Sequence, residues 1–179
     1  MALSLSAISQ ARYQTGVLVS LSKWLAYYLG GTEYTAAWAQ VGGGVTVYAE
    51  KPQTPAEEAL AQPRVVLSLG GEESHAQTLA EADDPDDPGE TANFNCTYLR
   101  LNVEAECFAD DNTGAAMTCY DLASAVRRIC EMHGGDLASA GLLYVSARPG
   151  ETTLAEDTDL WIGTVTITVE FALLGQRVS

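Results

Sequence analysis

Basic side chains are in short supply in this chain. Nine Lys and Arg stand against twenty-four Asp and Glu, a formal net charge of -15 over 179 residues. A field of that sign repels polyanions, and attachment to nucleic acid or to an anionic lipid surface relies on Lys and Arg neutralising phosphates. Both are therefore poor expectations as partners. Histidine is scarcer still, with only His75 and His133. A Ser-His-Asp or Cys-His arrangement would have to use one of them, and neither sits in a nucleophile context: there is no G-x-S-x-G and no H-E-x-x-H. The many acids offer accidental carboxylate pairs, but nothing marks one pair as acid and base. The expectation is a protein that is not an enzyme.

Metal and cofactor signatures are missing too. Cys96, Cys107, Cys119 and Cys130 are spaced eleven to twelve residues apart, with no C-x-x-C and no nearby His pair, so zinc spacing is absent and the cysteines read as small core residues. The run Gly42-Gly43-Gly44 is followed by a strand pattern and by no G-K-[ST], which removes a phosphate loop and leaves a turn or hinge. The acids lack the D-x-D-x-D-G pattern with a distal Glu that calcium loops use. No cofactor and no metal are expected. No secretion signal is expected either, because Ser6 to Gly16 is polar and the apolar stretch after it is cut by Lys23; a reducing cytoplasm suits four cysteines better than disulfides. No run of about twenty apolar residues is present to span a membrane.

What is present suits one hydrophobic core. The length fits a single domain over residues 1–179, and 47% hydrophobic residues are an ordinary globular supply. From about residue 6 to 29, Val17, Leu18, Leu21, Trp24, Leu25 and Tyr28 follow steps of three and four, a helix period, and Gly30-Gly31 supplies a stop through positive φ. Trp24, Tyr27 and Tyr28 read as packing residues and not as a ligand cage. Val45 to Tyr48 and Arg64 to Leu69 read as strands. Eight acids then fall between Glu72 and Glu90 with no Lys or Arg among them, and Pro85, Pro88 and Gly89 interrupt the run, so about 72–92 reads as a long acidic loop.

Phe94 to Phe108 predicts the longest strand. Leu99, Leu101, Val103, Ala105 and Cys107 take one face and Arg100, Asn102, Glu104 and Glu106 the other. Phe94, Cys96 and Tyr98 have the opposite parity, so a β-bulge or bend is expected near Tyr98-Leu99. A second helix follows through Cys119, Leu122, Val126, Ile129, Cys130 and His133, with Gly134-Gly135 as its end. Arg127, Arg128 and His133 lie where cations suit the helix dipole. Leu142 to Arg148 and Leu160 to about Leu173 predict two closing strands, the second with a one-residue slip at Gly163, joined by an acidic loop over 149–159. The fold class expected is α+β: a mostly antiparallel sheet of about five strands with two helices on one face.

Several segments together carry a resemblance: R-V-V-L-S-L-G-G (64–71), N-x-T-Y-L-R-L-N-V-E-A-E (95–106), the helix D-L-A-S-A-V-R-R-I-C (121–130), and the closing strand W-I-G-T-V-T-I-T-V-E-F (161–171). In this order, behind a leading amphipathic helix, the pattern from Val45 to Phe171 resembles the tail terminator proteins of long-tailed bacteriophages. The long acidic segment and the longer N-terminal helix depart from that pattern. The resemblance implies a structural virion protein in the tail and neck, made in the bacterial cytoplasm. It would form a ring, commonly a hexamer, that caps the tail tube, ends its polymerisation and joins tail to head. Its partners would be further copies of itself, the tail tube protein and neck or connector proteins. DNA would pass through the ring unbound, and no membrane would be involved. Head-to-tail connectors and neck stoppers share the pattern. An acidic protein-binding module of a different class fits the composition equally well.

Overall fold

A computed structural model describes residues 3–31, 33–34, 44–49, 63–84, 86–110, 115–155 and 160–178. The chain is α+β: helix α1 (Tyr13–Leu29), strands β1 (Thr46–Tyr48), β2 (Arg64–Asp83) and β3 (Thr91–Asp110), helix α2 (Ala115–His133), and strands β4 (Leu142–Ala155) and β5 (Leu160–Arg177). The five strands form one sheet in the order β1-β2-β3-β5-β4. Every pairing is antiparallel except the three-residue parallel pair of β1 with β2. No described helix is long and apolar enough to cross a membrane.

Both helices lie on one face of the sheet. Val17, Leu21, Trp24 and Leu25 of α1 and Cys119, Leu122, Val126 and Ile129 of α2 share one buried cluster with Leu99, Leu101, Val103, Ala105 and Cys107 of β3 and Val165, Ile167, Val169 and Phe171 of β5. Each Val, Leu, Ile or Phe of this set, taken from water, contributes about 1.5–3 kcal/mol before the chain entropy that opposes it. The helical period of three and four and the strand period of two bring these two sets face to face. Gly163 permits the closest approach: a Cβ there would stand 3.1 Å from Cys119 Sγ and 3.5 Å from Ala123 Cβ.

Several expectations need correction. The first helix starts at Tyr13, after a 3-10 turn over Gln10–Arg12, and not near residue 6. It ends without positive φ, since Gly30 has φ -80° and its N–H is satisfied by Ala26 O at 3.0 Å. Beyond His133 the chain continues as a 3-10 helix to Ala140, and the left-handed residue that stops it is Gly141 at φ 88°. The triple glycine falls on the edge of the description, with residues 42 and 43 outside it.

The largest correction concerns the acidic segment. Gly70-Gly71 does not end β2, which runs on to Asp83 and pairs with β3 as far as Thr91, so most of 72–92 is strand and the described turn is confined to Asp84 and residues 86–90. The predicted acidic loop over 149–159 shrinks likewise, because β4 continues to Ala155; residues 156–159 lie outside the described residues. The expected bulge near Tyr98-Leu99 is on the partner strand: His75 is the extra residue between Ser74, paired with Leu99, and Ala76, paired with Tyr98. The slip expected at Gly163 is absent from β5, which pairs with β3 without interruption from Leu160 to Leu174; the irregularity is in β4 between Pro149 and Thr152.

β5 outruns β4. Phe171 is opposite Leu142, the first residue of β4, and the residues after it have no strand on that side among the described residues. There the Gln10 amide stands in for one: its Nε2 donates to Ala172 O at 3.2 Å and its Oε1 accepts from Leu174 N at 3.0 Å.

Candidate interaction surface

With the helices on one side, the other face of the central sheet carries no described layer. Cross-strand register places Arg100 with Glu170, Asn102 with Thr168, Glu104 with Thr166 and Glu106 with Thr164 on that face, flanked by Glu73 on β2 and by Tyr144, Ser146 and Arg148 on β4. Arg100 Nη2 donates to Glu170 Oε1 at 2.9 Å, and Thr168 Oγ1 donates to Asn102 Oδ1 at 2.9 Å. The bulge re-aims His75 onto this face, its Nε2 3.8 Å from the same Glu170 oxygen. Pairs this accessible to water are worth at most about 1 kcal/mol each. They make the face polar, although Arg100 Nε is buried with no hydrogen-bond partner among the described residues.

The acids of 72–90 serve separate local ends. Glu72 accepts from Tyr13 Oη at 2.8 Å and Gln14 Nε2 at 2.9 Å, tying β2 to the start of α1. That hydrogen bond, followed by burial, raises the Tyr13 pKa, and the Tyr13 ring stacks on Phe171 at 5.7 Å. Glu81 accepts from Thr91 Oγ1 at 2.6 Å. Asp84 is buried; its Oδ1 accepts from Asp86 N at 3.0 Å and its Oδ2 pairs with Arg177 Nη1 at 2.6 Å, which fastens the hairpin tip to the end of β5. Gly89, at φ 103°, supplies the left-handed residue of the turn. Glu73, Asp83, Asp86, Asp87 and Glu90 are exposed. Among the described residues no group of three or more His, Cys, Asp or Glu is placed to hold a metal ion.

The aromatic and histidine residues form a joint. The His133 ring stacks on Tyr28 with centroids 4.0 Å apart, Tyr34 Oη is 3.2 Å from His133 Nε2, and Tyr28 Oη donates a short hydrogen bond to Asp136. Burial first, and then that bond, push the Tyr28 pKa up to about 12. Trp24 meets Tyr28 edge-on at 6.1 Å and is fully buried, whereas Tyr27 is exposed. The joint locks the C-terminal ends of α1 and α2 to the 3-10 helix. All four cysteines are buried as free thiols. Burial pushes Cys119 to about 11, Cys130 to about 12 and Cys107 well above its ordinary value, which keeps them protonated; Cys119 Sγ donates to Cys107 O at 3.0 Å.

The sheet edges hold what pattern reading missed. Past its short pairing with β1, the outer edge of β2 from Leu67 to Asp83 has no strand beside it among the described residues, and neither has the outer edge of β4. Along β4, exposed Leu143, Tyr144 and Leu154 accompany Arg148. Arg127 and Arg128 of α2 line a groove against Pro149, Gly150 and Thr152 of β4 while both approach Glu131, at 2.8 and 3.7 Å. These arginines were legible as helix-end cations; their place beside a free strand edge depends on tertiary pairing.

No protein-family model matches the chain, and no curated protein matches it.

Proposed function

We propose that this chain is a structural assembly protein of the tail-terminator kind: a subunit of a ring, commonly a hexamer, that caps a phage tail tube, ends its polymerisation and joins it to the neck, without catalysing a reaction. The observation that supports this reading best is the one-sided sheet. Among the described residues, helices cover one face, the centre of the other is polar with no layer on it, and the edges of β2 past β1 and of β4 have no strand beside them. Such a plate tiles around an axis with its helices outward and its polar face toward a channel. A net charge of -15 then lets DNA pass without sticking. The location is the virion, at the tail and neck, and the partners are further copies, tail tube protein and neck proteins.

The test is native mass spectrometry across a range of concentrations, with negative-stain images of the large species. A closed ring of about six copies is the expected result, since cyclic closure is what a channel cap requires. A monomer at every concentration, both alone and with tail tubes added, overturns it in favour of an acidic binding module.

A further inference from the structure

The ring reading leaves open which surfaces of neighbouring copies meet, and the two free edges of the sheet differ in a way that answers it. β2 carries acids on both sides of its open edge. In register with β3, Glu72, Glu81 and Asp83 belong to the helix-bearing face and Glu73 to the polar face. The β4 side carries cations in the same two positions, alongside Glu131 of α2, which pairs with Arg127 and Arg128, and exposed Glu151 of β4. Arg148, paired with Thr166, lies on the polar face, and Arg127 and Arg128 line the groove between α2 and β4 on the helix face. In a chain with only nine Lys and Arg, three of them flank this one edge.

Strand direction agrees with the charge pattern. β2 is antiparallel to β3, β3 to β5 and β5 to β4, so β2 and β4 run in opposite directions. A rotation about an axis along the strands preserves both strand direction and face. It would therefore set β4 of one copy antiparallel to β2 of the next, with helix face beside helix face, and the ladder would continue without reversal. Each edge strand would gain the backbone partners that an open edge lacks. We infer that the acidic β2 edge of one copy docks along the Arg127, Arg128 and Arg148 edge of a second copy, head to tail. The inference rests on the ring reading and specifies its interface.

Two charge-reversed variants test it. One carries Arg127→Glu, Arg128→Glu and Arg148→Glu; the other carries Glu73→Arg, Glu81→Arg and Asp83→Arg. All six side chains are solvent-accessible, so both variants should fold, which circular dichroism verifies. Each variant alone should raise the concentration for half-assembly by about tenfold or more, because like charges then face each other across the joint. An equimolar mixture should restore assembly, with the two variants alternating around the ring, as native mass spectrometry would show. Rings that persist unchanged in either variant alone, or a mixture that fails to recover, overturn this interface and leave the ring reading standing. An unsubstituted protein that stays monomeric at every concentration, both alone and with tail tubes added, overturns both.

Discussion

The two halves of β3 make different use of the same strand. From Leu99 to Ala109 every second side chain is sealed beneath α1 and α2. From Thr91 to Tyr98 the strand continues, paired with β5 across the change at Tyr98-Leu99 and with one irregularity between Phe94 and Cys96, yet its buried residues become Ala92, Phe94 and Cys96, which belong to the opposite face. The covered half has two layers and a shared core. The distal half is chiefly sheet, held by β2, by the end of β5 and by the Asp84–Arg177 pair. Strand pairing alone keeps a ribbon in register, whereas a second layer is what supplies most of the hydrophobic stabilisation.

The largest expected effect comes from placing a charge in each half. Val103 is fully buried under the helices, and Val103→Asp should abolish folding: an unpaired carboxylate there costs several kcal/mol against a total stability of about 5–15 kcal/mol. Leu79 is 60% exposed on β2, so Leu79→Asp should leave the circular dichroism spectrum and melting temperature almost unchanged. A folded Val103→Asp protein would erase the distinction between the halves.

Thiol labelling separates them without mutation. Cys96 lies in the distal half and the other three cysteines in the two-layer core. Local opening of the ribbon should let Cys96 react about tenfold or more faster than Cys107, Cys119 and Cys130, followed site by site by mass spectrometry. Because burial raises these thiols, the folded chain keeps protons that the unfolded chain releases from about pH 8.5 upward. Stability should therefore be fully present below that pH and fall as pH rises toward about 11, the Cys119 value, and about 12, the Cys130 value. Labelling of all four at one rate would mean that the protein opens only as a whole.

A smaller effect is expected from shortening the hairpin. Deleting Glu81 to Glu90 joins Ala80 to Thr91, and since Ala80 pairs with Phe94, residues 91–93 are left as a three-residue connection, a workable hairpin length. Melting should remain cooperative, with a loss of about 2 kcal/mol or less. A non-cooperative melt would make the tip part of the core. A comparable effect is expected of Arg177→Ala, which takes the half-exposed guanidinium away from the buried Asp84 carboxylate and should cost about 1–3 kcal/mol because a buried charge loses its partner. Amide exchange should quicken over 91–96 more than under the helices; equal quickening under the helices would show that the halves are coupled.

These two halves also mark how far the sequence could be read. Element order, fold class and the alternation of Leu99 to Cys107 were legible because a two-layer core imposes a strict period on the residues facing it. The distal part of β2 was not. With only the exposed start of α1 above Glu72 and no described helix beyond it, Glu72 and Glu73 on opposite faces are equally acceptable, so the alternation that identifies strands is missing, and Gly70-Gly71 looked like a stop where the chain only makes a bulge. The parity change at Tyr98-Leu99 was a true signal of a changed buried face, although the extra residue, His75, is on the neighbouring strand. At Gly163 the pattern misled because a core-facing position is occupied by a residue with no side chain, vacated for α2. The surface features depend on contacts between residues far apart in sequence. Asp84 with Arg177, and the arginines of α2 with the edge of β4, leave no local pattern to find.

Gln10 bears on how such a sheet grows. With Ala172 O and Leu174 N already engaged by its amide, a foreign strand arriving at the uncovered corner of β5 finds the first two rungs occupied and gains little by entering. Any extension of the sheet would thereby be steered away from this corner. In Gln10→Ala the corner is reopened, and the protein should precipitate at concentrations where the unsubstituted chain stays clear in light scattering. One neutral side chain would thus separate a finite assembly from an indefinite one.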